Sequence, residues 1–437
     1  MPGLALVSLP ILSVMGVMAF FSDFRRRKDR WWRYGILKQA YQQAQHAEEA
    51  NDQSLSHAFK RFGYKAPPGE LLAVWQRLTE VGALRCTALS EQAITGVERA
   101  IADLPATTIN AMAWLDLYRL GLGIGLFLPA NRFRDKAIAA MLVRSQQARA
   151  SLNELTAGCY AAIETGNYQR ANDLLERMKS RGLDQSRYDQ GRWLLQLFSA
   201  HPTPGGHHRK LDDTTVDAEF RKELQGRNLA LVGPVATKAM NGSEIDANDL
   251  VIKFGYRGGD TGRDPATQGE RVDISYYNNK QAQQLSQMPY TGVLASLRWA
   301  VFNNHKGRSF FPKELNSVRQ LASLQWLMPD THLNAGPNAV LDLLRFGPGS
   351  LKVFNTDMML SSGRFAGYKA PDEKPIDYTR SFIKTHDPVV QFLILNRLWT
   401  VGHISGDERF EAVMAMGLEQ YLLQLQEAYG ARKQALI

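Results

Sequence analysis

The chain is poor in cysteine: Cys86 and Cys159 are the only two in 437 residues. Neither has metal-ligand spacing, so neither a disulfide framework nor a structural zinc site is on offer. Both read as reduced core or surface thiols, which suits a cytoplasmic chain. No Asp-x-Asp pair occurs either. That removes the metal grip often used by transferases of nucleotide-diphosphate sugars. A clean 34-residue repeat is also missing, so no true repeat array is established. Long apolar runs are confined to the N-terminus.

Basic charge is present but unevenly spread. Of a net +9, FRRRKDRWWR (24–33) holds +5, from six basic residues against one Asp. A charge so concentrated argues for a local role and against a broad nucleic-acid-binding face, and no nucleic-acid partner is expected. Just before it, LALVSLPILSVMGVMAFF (4–21) is uncharged and about long enough to cross a hydrocarbon core of roughly 30 Å. A secretory signal carries its positive charge before the apolar run, and here the charge follows. The expectation is a single-pass membrane anchor with the rest of the chain in the cytoplasm, and Trp31 and Trp32 at the interface. A tightly docked N-terminal helix is the alternative.

At this length two or three domains are expected. Residues 22–200 read as an all-helical domain. In YAAIETGNYQRANDLLERM (160–178) two helical patterns flank Gly166-Asn167, and Ala171, Leu174, Leu175 and Met178 fall on one face. The pattern resembles half of a tetratricopeptide-like pair, so the domain is either an irregular helical one or an array that binds a protein partner. HPTPGGHHRKLDDTT (201–215) has turn residues and no apolar period, and 201–224 reads as a linker. His207 and His208 in it are read as solvated residues rather than metal ligands.

From 225 to 437 the texture becomes α/β. NLALVG (228–233), DLVIKFG (249–255), RVDISYYN (271–278) and SLKVFNT (350–356) read as strands. NAVLDLLRFG (338–347) and VVQFLILNRLWTVG (389–402) read as helices. This predicts a Rossmann-like, mostly parallel sheet that binds ligand at the carboxyl ends of its strands. The turn after the first strand ends in Gly233 and can aim backbone N–H groups at an anion. It is neither GK[ST] nor GxGxxG, so spacing alone leaves phosphate binding and an ordinary turn both open. In THDPVVQ, Asp387 caps a helix whose first turn holds Pro388. His386 just outside is then a surface residue or a base.

These segments, in this order, resemble the sialyltransferases of glycosyltransferase family 29. Gly233, Glu244, Ile245, Asp246, Val251, Ile252, Lys253 and Phe254 fit the large sialylmotif, and GERVDISYYNN (269–279) resembles the segment after it. Pro234 and Gly255 stand where the family has asparagines that help hold the nucleotide; Asn278 or Asn279 takes over that role in this reading. LNAGPNAVLDLLRFGPGSLKVFNTDM (333–358) resembles the small sialylmotif, with Asn334-Ala335-Gly336-Pro337 in place of the usual Pro-Ser/Thr-Thr-Gly. The N-terminus of its helix offers N–H groups to a phosphate, with Asn338 a possible cap. The disulfide that joins the two motifs in animal relatives cannot form. His386 and Gln391 match the closing His-x4-Glu, with Gln for Glu, followed by Leu395, Leu398 and Gly402. Tyr378 lies near the place of the intervening histidine.

The resemblance implies a GT-A-like fold and an inverting, metal-independent transfer of an acidic sugar, sialic acid or Kdo, from a CMP-activated donor to a glycan or glycolipid acceptor. It needs no cofactor. His386 would be the base and Gln391 its support; Gly233, Pro234, Asn278, Asn279, Asn334, Gly336 and Tyr378 would hold the donor. Topology adds a place, the bacterial inner membrane, and a task, building a surface polysaccharide. Two more histidines are weighed: His332 as a phosphate contact, His403 as a helix-end residue. The altered motifs leave open a catalytically degenerate domain in a membrane-bound helical scaffold.

Overall fold

The computed structural model describes residues 29–46, 53–83, 91–199, 214–259, 262–328, 331–361, 363–365, 367–368 and 378–430. The apolar segment 4–21, Cys86, His207 and His208 lie outside them. Among the described residues no helix is long and apolar enough to cross a membrane. Those up to Ala137 form one compact unit and those from Ile138 onward another.

The first unit is helical: α1 (Arg30–His46), α2 (Gln53–Phe62), α3 (Gly69–Ala83), α4 (Glu91–Asp103), α5 (Ala111–Ile124) and the start of α6 (Phe127–Gln146). Trp32 packs edge-on against Phe62 and takes the Arg61 guanidinium over its ring, while Trp31 stacks on Tyr34. Both tryptophans thus have packing roles inside this unit.

After the rest of α6, the second unit has a helical layer, α7 (Leu152–Glu164), α8 (Tyr168–Ser180) and α9 (Gln185–Ser199). Ser151 and Glu154 form a capping box at the start of α7. Gly166, at φ 72°, ends it, and the Asn167 side chain caps α8. Ala171, Leu174, Leu175 and Met178 are buried, as their spacing predicts. Cys159 is buried too, and burial pushes its thiol up to about 12, which leaves it inert.

After α10 (Thr215–Leu224) comes a seven-stranded, all-parallel sheet: β1 (Asn228–Val232), β2 (Leu250–Phe254), β3 (Ile274–Tyr277), β4 (Trp299–Phe302), β5 (Val318–Gln320), β6 (Ser350–Phe354) and β7 (Ser405–Gly406). The strand order is β5-β4-β3-β2-β1-β6-β7. Helices α11 (Asn279–Ser286), α12 (Ala335–Leu344), α13 (Tyr378–Lys384), α14 (Pro388–Thr400), α15 (Glu408–Ala415) and α16 (Gly417–Gly430) follow the strands. Such strands must be apolar on both faces, and β2, β3 and β4 are buried at every position. On α10, Phe220 is wedged edge-on against Trp299 and Phe346, a burial worth roughly 2 kcal/mol. Strands β4, β5 and β7 go beyond the four read from the sequence. Three- and two-residue strands are too short to show a pattern, and β5 carries a charged residue, Arg319, at its centre.

Successive strands run outward from β1 to β5 on one side, while β6 and β7 lie on the other. The strand order therefore reverses between β1 and β6, the position where open α/β sheets form a crevice outside the strand ends.

Candidate functional site

The reversal brings together the turns after β1 and β6. Gly233 continues the pairing, its N–H donating to the Phe354 carbonyl at 2.8 Å. A Cβ there would sit 2.2 Å from Thr356 Oγ1 and 2.4 Å from the Asn355 carbonyl oxygen, so only glycine lets the turns approach so closely. The turn after β6 is strained: Asn355, Met358 and Met359 all have φ between 50° and 69°. It is held from three sides. Asp407 Oδ2 accepts from the Asn355 N–H at 2.6 Å, and Asp357 accepts from Ser361 and pairs with Arg409 at 2.9 Å. The Tyr421 and Tyr429 hydroxyls donate to the carbonyls of Met358 and Met359.

Beside these turns lie four cations: Lys253 on β2, Arg257 and Arg263 in the glycine-rich turn after β2, and Arg364. Among the described residues none of the four pairs with a carboxylate; each donates to backbone carbonyls instead. Burial, with Arg263 nearby, pulls the Lys253 ammonium down to about 8. The Arg263 guanidinium lies over the rings of Tyr256 and Phe365, 5.6 and 5.2 Å from their centroids. Arg364 stacks on Tyr378 at 4.9 Å and donates to its hydroxyl. Several polar atoms along this edge of the sheet are buried with no hydrogen-bond partner among the described residues: Arg263 Nε, Arg364 Nε, Asn355 Oδ1 and Asn279 Oδ1. Buried polar atoms are normally satisfied, so such a group calls for an explanation.

A short strap lies over the crevice. Val235 and Arg364 form an antiparallel bridge, Phe365 N–H donates to the Pro234 carbonyl at 3.1 Å, and Arg257 holds the carbonyls of Gly367 and Tyr368. Phe365 and Tyr368 fill the space above Gly233, Pro234 and Lys253, leaving no room for a water-sized molecule.

The histidine segment is linked to the same turns. The Asp387 side chain caps α14, accepting from the N–H groups of Val389 and Val390, with Pro388 in the first turn. His386 Nδ1 lies 2.8 Å from the His332 carbonyl oxygen. A carbonyl only accepts, so Nδ1 carries the hydrogen and Nε2 is the nitrogen with the basic lone pair. Gln391, fully buried, donates to the same carbonyl at 3.0 Å and accepts from the Asn334 N–H at 2.9 Å. Asn334 Nδ2 in turn meets Met359 Sδ at 3.0 Å in the strained turn. One chain of contacts thus runs from that turn through Asn334, Gln391 and the His332 carbonyl to His386.

The remaining residues singled out by sequence have these places. Asn334 is the N-cap residue of α12, without a side-chain capping bond; Asn338 lies inside the helix and donates to Leu333. A cap from Asn338 is therefore ruled out by geometry. Gly336 sits in the first turn, and a Cβ there would meet open space. The Asn278 side chain is taken up in capping α11, while Asn279 carries the unsatisfied Oδ1. Tyr378 begins α13, and burial raises its hydroxyl to about 12. His332 takes part through its backbone carbonyl. His403 follows Gly402 at the end of α14 and is buried, Nε2 lying 2.8 Å from the Leu197 carbonyl.

The Glu-Ile-Asp element has a structural task. Asp246 accepts from the N–H groups of Glu270 and Arg271 at 2.8 and 3.1 Å, and a Cβ on Gly269 would lie 2.6 Å from Asp246 Oδ1. This binds the two motif segments to each other. Arg257, Arg263 and Arg364 were not foreseen. Their signal was two arginines set among Gly255, Gly258, Gly259 and Gly262, all at positive φ. No family model matches the chain, and a search of curated proteins finds no match.

Proposed function

We propose that this protein is a membrane-anchored, inverting, metal-independent glycosyltransferase that moves an acidic sugar, sialic acid or Kdo, from a CMP-activated donor to a glycan acceptor in surface polysaccharide synthesis. In this reading the sheet is the GT-A-like variant of the sialyltransferases, α7–α9 are a tetratricopeptide-like layer, and residues 4–21 anchor the chain. The observation that carries it is the group of four cations that, among the described residues, pair with no carboxylate, beside Arg263 Nε and Arg364 Nε, which find no hydrogen-bond partner there. A CMP-activated acidic sugar brings the phosphate and carboxylate that would satisfy them.

Arg364 stacks on Tyr378, the first residue of α13, and His386 follows the last by two positions. Seven helical residues at about 1.5 Å each span roughly 10 Å, a reach that suits a donor with its phosphate among the arginines and its anomeric carbon near His386. The acceptor hydroxyl oxygen then bonds to that carbon as the bond to the phosphate oxygen breaks. His386 Nε2 takes the hydroxyl proton and CMP leaves with the electron pair. Gln391 holds the carbonyl that sets the His386 tautomer, so its contribution is positional.

A competing reading, a degenerate transferase domain in a scaffold, is favoured by the filled crevice beneath Phe365 and Tyr368. Calorimetry with CMP, CMP-sialic acid, CMP-Kdo and UDP decides between them: binding of a CMP species is expected, and no binding sinks the enzyme. His386→Ala should lower transfer by 10²–10⁴-fold without loss of CMP binding. Transfer that survives the substitution removes the base assignment.

A further inference from the structure

Outside the crevice, the second unit has a cleft of about 350 Å³ walled by α7, the start of α9 and the chain after β5. Asn153, Thr156, Leu183, Arg187, Trp326 and Met328 line it. Trp326 is held in its floor by a hydrogen bond from its Nε1–H to Gln190 Oε1 at 2.8 Å. The Asn153 amide is exposed and without a hydrogen-bond partner among the described residues, and Arg187 is half-exposed beside Asp184. An indole with an amide and a planar guanidinium around it is a combination that suits a sugar ring: apolar C–H faces rest on the aromatic ring while hydroxyls bond the polar groups.

The cleft is tied to the histidine. Gln325 donates to the Thr331 carbonyl, and Thr331 Oγ1 accepts from the Asp387 N–H at 3.0 Å. The His332 N–H reaches the Thr385 carbonyl at 2.9 Å, and His386 Nδ1 the His332 carbonyl. The segment carrying Trp326 is therefore bonded on both sides of His386. From the far end, Arg397 and His403 bind the carbonyls of Phe198 and Leu197, fixing the end of α9 against the end of α14.

We infer that this cleft binds the acceptor glycan, so that the helical layer supplies the acceptor side of the enzyme. The inference rests on the transferase reading for the word acceptor, but glycan binding there can be tested without it. The full chain, with no nucleotide present, would be probed on an array of oligosaccharides of bacterial surface polysaccharides and host glycans. At least one glycan should be retained, with Trp326→Ala and Asn153→Ala each weakening retention tenfold or more. Trp326→Phe, which keeps one aromatic ring while losing the indole's second ring and its bond to Gln190, should weaken retention less than Trp326→Ala does. Asn153 is exposed, so its variant reports binding even where Trp326→Ala fails to fold. No glycan retained, or equal retention by Asn153→Ala and wild type, overturns the inference. CMP titrations on the same preparations read the donor crevice separately: glycan binding without CMP binding keeps the cleft and removes the transferase.

Discussion

Two arginines of the second unit lie between pairs of aromatic rings, yet their surroundings differ. Arg319, on β5, sits 4.5 and 4.9 Å from the ring centroids of Phe220 and Phe346. It bonds Asp217 at 2.7 Å and Asp342 at 2.5 Å, and Asp342 also accepts from the Tyr276 hydroxyl at 2.7 Å. Burial works against the Asp217 carboxylate, but Arg319 and its hydrogen bonds outweigh it and hold that carboxyl below its ordinary value. Arg263 lies between Tyr256 and Phe365 with no carboxylate beside it among the described residues. A buried cation closed by two acids is complete, and serves the fold. One that among the described residues has only carbonyls and rings, with Nε unsatisfied, is the place where the proposed donor's anion would sit.

The largest effect should come from opening the closed cluster. Asp342→Ala leaves Arg319 with one acid and Tyr276 without its acceptor, and should cost about 3–5 kcal/mol of stability. A denaturant midpoint unchanged from wild type would refute that. Arg364→Gln should do the opposite: little change in melting, but about tenfold weaker CMP binding, near 1.4 kcal/mol. Equal affinity for CMP would take Arg364 out of the site and blur the contrast between the two arginines.

The smallest effect is a proton. Folded Lys253 titrates near 8 against an ordinary 10.5, so between those values the unfolded chain binds the extra proton and stability rises with pH. An anion in the crevice favours the charged ammonium and pulls its pKa back up. Calorimetry of CMP at pH 8.5 in two buffers of different ionisation enthalpy should therefore show uptake of a fraction of a proton. Identical enthalpies in both would place the anion away from Lys253.

Much of the fold was legible one residue at a time. Asp387 and Pro388 announced the start of α14, Gly166 and Asn167 the turn before α8, and the apolar runs gave β1, β2, β3 and β6. These are local effects: a cap, a left-handed turn and a doubly buried strand depend on neighbours in sequence. What stayed hidden was contact at long range. Gln391 was expected beside the histidine, and instead meets it through the carbonyl of His332, fifty-nine residues away in the chain. The Glu-Ile-Asp element was legible only as a motif match without a task, and the fold gives its Asp246 one, holding a neighbouring turn. Arg319 made β5 unreadable because its charge is balanced by acids from α10 and α12.

By itself, then, the sequence determined the alternation of strands and helices, the glycine at the end of β1 and the capped helix that follows His386, since each is set by local sterics and hydrogen bonding. Only the tertiary structure decided which nitrogen of His386 holds the hydrogen, which arginines meet acids and which meet only carbonyls and rings among the described residues, and that the strand order reverses between β1 and β6. Those depend on which distant groups the folded chain brings within hydrogen-bond distance, and no spacing along the chain encodes that distance.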